Sequence, residues 1–367
     1  MTRILAIRSA FPEGSYAQEA IVELLSRSWS KHGEAAAKLK QLAKRVGVER
    51  RHLALPLERY PALEGWEETN ALWTQQALAL GTRSLGALLE TLPFALPEIG
   101  AFLSTTVTGI ATPSLDAHLL NRYGLPSDLK RMPLFGLGCA AGASLLARAS
   151  DYVRAYPEKV ALVFAVELCS LTWQQRDLST ANLIASLLFG DGAATALVAG
   201  EAFVEAHLPA LSASTPGRAL RRAPQVVATR SVFYRETLQI MGWKVKDSGL
   251  EIVLAPELIS LIESRLRDDM EGFLSSAGVE RGEIAEWIIH PGGPKVLNAI
   301  QSALELDDEA LAPSWTLLRE RGNLSSVSVL TLLEEKMAGR EAPRAGSYGL
   351  LFAMGPGFAL EMLLLKW

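Results

Sequence analysis

A cysteine lies at the point where a strand-like run of residues gives way to a helix-like run. Cys139 stands in Leu134-Phe-Gly-Leu-Gly-Cys-Ala-Ala-Gly142, and an amphipathic stretch over 143–152 follows it. Unpaired backbone N–H groups and the positive end of a helix dipole at that position favour a thiolate over a thiol. Covalent catalysis by this nucleophile is therefore the first hypothesis, and a small buried core residue is the alternative.

A histidine and an asparagine occupy positions where side chains often meet a ligand. His290 ends a strand-like run in Trp287-Ile-Ile-His-Pro-Gly-Gly-Pro294. Ligand sites of α/β sheets gather at strand ends, and the glycines let a substrate approach the backbone. Asn323 stands in Arg321-Gly-Asn-Leu-Ser-Ser326 and opens a helix-like run, where a helix N-cap is the alternative interpretation. Because a cap can also present its amide group to a ligand, both interpretations stay open.

Strand-like and helix-like runs alternate along most of the chain, which is typical of an α/β fold. The first half has such runs at 101–106, 113–123, 133–137, 139–155, 159–166 and 193–198. The second half has a similar series at 287–290, 295–304, 323–337, 348–353 and 358–365. The similarity of the two series predicts an internal duplication.

Superposing the two series places Cys139 and Asn323 at equivalent helix starts. The stretch 101–123 pairs with 287–304, 159–167 with 348–354, and 193–198 with 358–365. Two such halves packed around a pseudo-dyad would bring both helix starts toward a shared centre, beside the loop that follows His290. We expect an N-terminal half over 1–200, a connecting segment over 201–235 and a C-terminal half over 236–367.

The composition indicates a large buried core and excludes some classes of partner. The chain has 367 residues, of which 49% are hydrophobic, and a formal net charge of −4. No basic stripe interleaved with aromatic residues is present, which argues against nucleic acid as a partner. The two cysteines, Cys139 and Cys169, suit a reducing compartment without a disulfide framework. Arginine interrupts the N-terminal apolar run and no later run has membrane-spanning length, so we expect a cytoplasmic protein without membrane insertion.

Two other kinds of site match single features of the chain. The Gly-x-Gly-x-x-x-Gly run over 136–142, with Glu167 ending the next strand, imitates a dinucleotide-binding fingerprint. Its spacing departs from the usual one, and it leaves His290 and Asn323 without a role. A zinc site is less favoured still, because the chain has neither a C-x-x-C nor an H-E-x-x-H spacing.

Six motifs follow one another along nearly the whole chain in the order of a known family. They are Gly138-Cys-Ala-Ala-Gly142, Glu167-Leu-Cys-Ser-Leu-Thr-Trp173, Asn182-Leu-Ile-Ala-Ser-Leu-Leu-Phe-Gly-Asp-Gly192, His290-Pro-Gly-Gly-Pro294, Gly322-Asn-Leu-Ser-Ser326 and Met354-Gly-Pro-Gly-Phe358. With these motifs the chain resembles a type III polyketide synthase of the chalcone synthase-like superfamily, and is nearer its bacterial members. The related ketoacyl carrier-protein synthases III share a Cys-His-Asn triad but differ in the surrounding motifs.

The resemblance implies a role for each member of the triad. Cys139 would take a starter acyl group from its coenzyme A thioester and hold the growing chain. His290 would be its partner, because a thiolate paired with an imidazolium is both nucleophilic and a tolerable leaving group. His290 and Asn323 would together donate hydrogen bonds to the thioester oxygen of malonyl-CoA and stabilise the enolate that forms as carbon dioxide leaves.

Further residues match substrate-binding positions of the family. Phe189 matches an aromatic gatekeeper between the coenzyme A tunnel and the cavity, where an apolar wall would promote loss of the malonyl carboxylate. The resemblance places Thr112 where plant members have a methionine that reaches into the neighbouring subunit, so a differently shaped cavity is implied. The remaining matched positions, which would line the cavity, are Cys169, Thr172, Thr108 and Ser325.

The resemblance also suggests where coenzyme A binds. Lys38 and Arg45, on a helix-like run over 34–45, match two basic residues near the tunnel mouth, whereas Gln41 replaces a third. The alternative is that both belong to a solvated helix face. The motif Met241-Gly-Trp243 and Ile252 would border the cavity.

The resemblance implies a homodimeric, thiolase-like α/β fold in which two duplicated halves form αβαβα layers. The implied activity is iterative decarboxylative condensation of malonyl-CoA onto an acyl-CoA starter, followed by ring closure to a pyrone or a resorcinol-type phenol. Fatty acyl starters are favoured by the small residues Thr112 and Cys169. No separate cofactor is implied, because coenzyme A enters as part of both substrates.

Three other functions remain to be compared with this one. A ketoacyl synthase III-like enzyme would perform a single condensation. An acyl-CoA-binding relative without activity would not need Cys139, His290 and Asn323, all of which are present. A cysteine acyl hydrolase would use the same cysteine and histidine but would not need the asparagine or two coenzyme A substrates.

Overall fold

The computed structural model describes residues 2–29, 33–91, 98–213, 223–339 and 343–367. The strands are β1 Thr2–Ala10, β2 Ser15–Ala17, β3 Arg50–His52, β4 Ile99–Thr105, β5 Lys130–Leu134, β6 Val160–Leu168, β7 Asp191–Ala199, β8 Gln225–Phe233, β9 Met241–Lys246, β10 Gly249–Leu254, β11 Ile284–Ile289, β12 Tyr348–Gly355 and β13 Ala359–Lys366. The α-helices are α1 Gln18–Ser28, α2 Gly33–Ala43, α3 Gly65–Leu89, α4 Leu115–Tyr123, α5 Ala141–Ala155, α6 Thr180–Leu188, α7 Glu201–Ala213, α8 Glu257–Ser276, α9 Pro294–Leu304, α10 Asp308–Arg321 and α11 Ser328–Ala338.

Nine of the described strands form one sheet in the order β11-β12-β13-β8-β1-β7-β6-β4-β5. The short antiparallel contact between β1 and β8 joins Thr2 with Val226 and Arg3 with Gln225 at its centre. On one side of this contact the order β1-β7-β6-β4 has the same mixture of antiparallel and parallel pairs as β8-β13-β12-β11 on the other. The predicted duplication and its pseudo-dyad are therefore confirmed, with β1 and β8 as equivalent strands.

The connecting segment predicted over 201–235 contains regular structure that the sequence did not indicate. Helix α7 occupies its first part, and β8 pairs along its length with β13 in the sheet. Residues 214–222 of this segment lie outside the described residues. The division of the chain into halves at 200 and 236 stays a prediction.

The two faces of β6 bury side chains of different size. Along β6, Ala161, Val163 and Ala165 belong to an inner core that includes residues of α5 and α11. The alternate residues Leu162 and Phe164 belong to a larger outer core, because successive strand residues point to opposite faces. Small inner side chains let α5 and α11 pack closely inside the molecule, and these are the helices that follow Cys139 and Asn323.

Every residue of β6 and of β7 is buried, as expected for strands covered on both faces. The outer helices complete the layered αβαβα arrangement. None of the described helices is long and apolar enough to cross a membrane.

Candidate active site

Cys139 occupies a short 3-10 helix, Gly138–Ala140, that leads into α5. Its Sγ donates a hydrogen bond to Ser325 Oγ over 3.6 Å. The start of α5 lies directly against the turn that contains Ser325, since a Cβ atom added to Gly142 would lie 2.1 Å from the Ser326 carbonyl oxygen. The glycine of the Cys139 motif therefore allows two backbone segments from opposite halves to meet.

The acid–base state of Cys139 differs from the sequence prediction. The pKa of the Cys139 thiol is raised to about 12, mainly by burial and to a smaller extent by the negative charge of Glu167, while the hydrogen bond to Ser325 lowers it. The prediction that a helix start favours a resting thiolate is wrong in this geometry, because desolvation outweighs the helix terminus. Cys139 is a neutral thiol near pH 7.

His290 follows β11, and its backbone N–H donates to the Phe352 carbonyl oxygen of β12 over 3.1 Å. The side chain is buried, and neither ring nitrogen has a hydrogen-bond partner among the residues that the structure describes. Burial lowers the pKa of His290 to about 3, so the imidazole is neutral. An unpaired buried imidazole has both a donor and an acceptor available for a substrate.

Asn323 is the residue that joins the three polar segments. Its Nδ2 donates to the Gly292 carbonyl oxygen over 3.3 Å, two residues after His290. Its Oδ1 accepts from the Ser325 N–H over 2.8 Å, and Ser325 Oγ in turn contacts Cys139. These contacts bring the segments of Cys139, His290 and Asn323 together in one buried region.

The N-cap interpretation of Asn323 is wrong. The N-cap residue is Leu324 for the 3-10 helix Ser325–Val327 and Val327 for α11, and neither helix start has a side-chain cap hydrogen bond. Asn323 Oδ1 instead accepts from the Ser325 N–H, and one N–H of the amide group is engaged by Gly292. The residue therefore presents its amide group in the site.

Glu167, for which no catalytic or binding role was predicted, lies fully buried beside the thiol. It accepts hydrogen bonds from Ser326 Oγ at 2.6 Å, Thr108 Oγ1 at 3.0 Å and the Val107 N–H at 3.1 Å. Burial nevertheless raises the pKa of Glu167 to about 7. The available signal in the sequence was a carboxylate at the end of an otherwise apolar strand.

A cavity whose lining includes none of Cys139, His290 and Asn323 brings together several predicted substrate-binding positions. Cys169 and Thr172 lie in the 3-10 helix Cys169–Thr172 and line it together with Phe189. Burial raises the pKa of the Cys169 thiol well above its usual range. Trp243 and Ile252 of the β9–β10 hairpin also line the cavity, as the sequence predicted for this hairpin.

Phe189 is half-buried at the end of α6 and forms an isolated β-bridge with Asn323. The Asn323 N–H donates to the Leu188 carbonyl oxygen over 2.9 Å, and the Gly190 N–H donates to the Asn323 carbonyl oxygen over 3.0 Å. The gatekeeper candidate and the asparagine are therefore neighbours through their backbones.

Two predicted residues lie elsewhere. Thr108 is not part of the cavity wall formed by Cys169 and Thr172, because its hydroxyl is buried against Glu167 and accepts from the Trp73 indole N–H at 3.2 Å. Thr112 lines a second, open cavity together with Ile110 and Phe135. The predicted role of a small Thr112 in making room beside the nucleophile is not supported within one chain.

The predicted coenzyme A residues are both exposed. Lys38 lies on α2, and its Nζ donates to Thr180 Oγ1, at the start of α6, over 2.5 Å. Arg45 follows α2, which ends at Ala43 and so is shorter than the predicted helix over 34–45. The structure thus places Lys38 beside the helix that leads to Phe189, and Arg45 further along the same surface segment.

Comparisons with known proteins agree with this fold. The family model "Chalcone and stilbene synthases, N-terminal domain" matches residues 1–202, and the model for the C-terminal domain of the same family matches residues 225–367. The chain therefore belongs to the chalcone and stilbene synthase family and is a type III polyketide synthase, a transferase of the decarboxylative-condensation class.

Particular relatives are similar over the whole chain. A 1,3,6,8-tetrahydroxynaphthalene synthase of Streptomyces peucetius subsp. caesius is 42% identical over 366 residues, which cover 100% of this chain and 93% of the relative. A putative chalcone synthase of Bacillus subtilis (strain 168) is 33% identical, with 100% and 99% covered. The crystal structure of 1,3,6,8-tetrahydroxynaphthalene synthase from Streptomyces coelicolor A3(2) has a TM-score of 0.86 and 28% identity, with 100% of this chain and 99% of that chain covered.

Proposed function

We propose that this synthase loads an acyl-CoA starter on Cys139, extends it with malonyl-CoA and closes the chain to a ring. The observation that carries the proposal is the set of contacts from Cys139 through Ser325 and Asn323 to Gly292, beside His290. A nucleophile, a neutral imidazole and an amide donor in one buried region suit acyl transfer followed by enolate formation.

Loading begins with a neutral pair. The Cys139 thiol gives its proton to a His290 ring nitrogen as its sulfur attacks the acyl carbon of the starter thioester. The bond from that carbon to the sulfur of coenzyme A then breaks, and the leaving thiolate takes the proton from the imidazolium. Because both groups are neutral at rest, the ion pair exists only along the reaction path.

Decarboxylation of malonyl-CoA uses a different pair of residues. The bond to the carboxylate breaks, carbon dioxide leaves, and the electron pair moves toward the thioester oxygen. A His290 N–H and the second Nδ2–H of Asn323 donate to that oxygen, because the first amide proton is already engaged by Gly292. Phe189 supplies an apolar surface that disfavours the charged carboxylate and so promotes its loss.

Condensation frees Cys139 from the acyl chain. The enolate carbon attacks the Cys139 thioester carbon, the C–S bond breaks, and the lengthened chain is carried by coenzyme A. Transfer of the chain back to Cys139 permits another extension. The substrates supply coenzyme A, and we propose that no other cofactor takes part.

The cavity wall supports a short starter in place of the fatty acyl starter favoured by the sequence. The bulky side chains of Trp173, Trp243 and Ile252 line the cavity beside Cys169, whereas Thr112 lines a different cavity. The relative from Streptomyces peucetius is named for a hydroxylated naphthalene. We therefore favour a phenolic product closed by carbon–carbon bond formation over a pyrone.

The functional unit in this proposal is a homodimer. Ile110 and Phe135 expose 49% and 60% of their surface beside the open cavity that Thr112 lines. An exposed apolar patch of this kind is typical of a protein interface. Lys38 and Arg45 would meet the coenzyme A phosphates at the opposite end of the substrate path.

Product analysis tests the proposal. The purified protein is incubated with radiolabelled malonyl-CoA and acyl-CoA starters from acetyl to palmitoyl, beside a Cys139→Ala control, and products are identified by mass. We expect label in a cyclised product with short starters and none with the variant. Release of free acid without malonate-derived carbon would instead indicate a hydrolase, and a product extended by one unit only would indicate a single-condensation enzyme.

A further inference from the structure

The carboxyl end of α6 has an unusual set of hydrogen-bond donors. The last carbonyl groups of a helix have no partner within the helix and are commonly left to water. Here each of the last four is bonded to a donor from another part of the chain. The pairs are Ser186 O with Arg51 Nη2 at 2.9 Å, Leu187 O with Gln18 Nε2 at 2.7 Å, Leu188 O with the Asn323 N–H at 2.9 Å, and Phe189 O with Arg51 Nη1 at 2.6 Å.

Two of these donors form a rigid pair. Arg51 Nε donates to Gln18 Oε1 over 3.2 Å, and the two residues expose only 2% and 4% of their surface. The guanidinium group therefore has a fixed plane, and it uses donors on all three of its nitrogens. A cation at the carboxyl end of a helix also interacts favourably with the helix dipole.

The aliphatic part of Arg51 contacts the segment that carries Asn323. A Cβ atom added to Gly322 would lie 2.6 Å from the Leu188 carbonyl oxygen and 3.0 Å from Arg51 Cδ. Gly322 also has a φ of +74°, which favours glycine. Arg51 thus touches the α6 terminus with its polar end and the Gly322 backbone with its stem.

The position of this cap suggests more than helix stability. The terminus that it holds carries Phe189, and the same terminus is paired with Asn323 through the Leu188 carbonyl group. We propose that Arg51, oriented by Gln18, is a positioning residue that fixes Phe189 and Asn323 relative to each other for malonyl-CoA decarboxylation. The inference rests on the proposed function, which gives Phe189 and Asn323 their roles in that step.

The arrangement separates two steps, the loading of the starter on Cys139 and the decarboxylation of malonyl-CoA, which are called the half-reactions below. Cys139 is held by α5 and by its contact with Ser325, and Arg51 makes no described hydrogen bond to either residue. Loss of the cap should therefore disturb decarboxylation more than loading. A device that merely stabilised the fold would affect both half-reactions together.

The test measures both half-reactions in the full-length protein. The variants are Arg51→Lys, Arg51→Met and Gln18→Met. Acylation of the protein by a starter acyl-CoA is followed by intact mass, and decarboxylation by release of labelled carbon dioxide from malonyl-CoA, with kcat and KM determined separately. Thermal unfolding midpoints are recorded for each variant.

A second arginine provides the matched control. Arg267 Nε donates over 2.8 Å to the Ala303 carbonyl oxygen near the carboxyl end of α9, a helix terminus that carries none of the proposed site residues. Arg267→Lys and Arg267→Met should lower the unfolding midpoint without changing the ratio of the two half-reaction rates.

We expect Arg51→Met to lower kcat for decarboxylation by about 10- to 100-fold, because a small misplacement of reacting groups has an effect of this size. The loading rate should change by less than about twofold. Arg51→Lys should recover part of the loss because it restores one donor, and Gln18→Met should act in the same direction.

Equal losses in both half-reactions, matching the loss of stability, would overturn the positioning role, as would Arg51 variants that decarboxylate like the unaltered protein. An unaltered protein that neither loads a starter nor releases carbon dioxide would contradict the proposed function, and the inference would fall with it. If Arg51→Met does not fold, Gln18→Met and Arg51→Lys still test the positioning role.

Discussion

Cys139 has a buried carboxyl group, Glu167, near it instead of a resting cation. Burial of the thiol and the charge of Glu167 both raise the pKa of Cys139. Burial lowers the pKa of His290, so its imidazole is also neutral. The three residue types could be found in the sequence from their motifs. Their protonation states could not, because these depend on desolvation and on a carboxylate that is distant in sequence.

The influence of Glu167 on the thiol gives a pH-dependent prediction. Glu167→Gln removes a negative charge, so the pKa of Cys139 should fall and the thiolate fraction at a given pH should rise. Alkylation of Cys139 by iodoacetamide should therefore be faster in the variant at pH 8–9. Since the pKa of Glu167 is about 7, the two proteins should react at similar rates at pH 6. Equal rates at pH 9 would mean that the Glu167 charge does not reach the thiol.

Trp243 lines the same cavity as Cys169 and Ile252, so the size of its side chain limits the space in that cavity. Trp243→Ala should enlarge the cavity and raise kcat/KM for an octanoyl starter relative to an acetyl starter by at least about tenfold, since added methylene groups would gain apolar contacts. Kinetics with the two starters measures the ratio. Leu238→Ala, at a side chain that is 74% exposed, is the control and should leave it unchanged. An unchanged ratio in Trp243→Ala would place the selectivity elsewhere.

At the scale of elements, the contacts between halves explain a turn that no local pattern indicated. The sequence predicted a continuous helix over 323–337, whereas Ser325 has a φ of +51° and starts a 3-10 helix before α11. The Ser325 N–H donates to Asn323 Oδ1, and Ser326 is held by Glu167 from the other half. Such long-range contacts override local helix preference, so the boundary could not be read from nearby residues.

The close approach of α5 to this turn depends on Gly142. Gly142→Ala would place a Cβ atom 2.1 Å from the Ser326 carbonyl oxygen, so the two backbones would have to separate. We expect a loss of about 1–3 kcal/mol or more in the free energy of unfolding, together with a loss of condensation activity. Denaturant unfolding measures the first. Gly282→Ala, where an added Cβ atom meets nothing within 4 Å, is the control, and equal stabilities of the two variants would contradict the packing argument.

At the scale of the whole molecule, the duplication was visible in the sequence because most strands of both halves are apolar runs buried on both faces. Neither β1 nor its equivalent β8 was predicted as a strand. Only Val226 among the residues of β8 is buried, so β8 lacks the apolar run that identifies β6 and β7. The cytoplasmic location inferred from the cysteines stays a prediction.

The proposed homodimer can be tested at its exposed apolar patch. Ile110→Glu would introduce a charge at a side chain that is 49% exposed beside Phe135. Size-exclusion chromatography with light scattering should give a dimer for the unaltered protein and a larger monomer fraction for the variant. Leu238→Glu, on a different exposed surface, should remain dimeric. If the unaltered protein is a monomer, the proposed homodimer is wrong.

The most direct test of the central claim is to identify the acyl group on Cys139 in the unaltered protein and in Asn323→Ala. Each protein is mixed with a starter acyl-CoA and malonyl-CoA, quenched with acid and digested, and the Cys139 peptide is analysed by mass spectrometry. We predict starter and extended acyl adducts on Cys139 in the unaltered protein, and the starter adduct alone in Asn323→Ala. Extended adducts in Asn323→Ala, or acylation at a residue other than Cys139, would contradict the account.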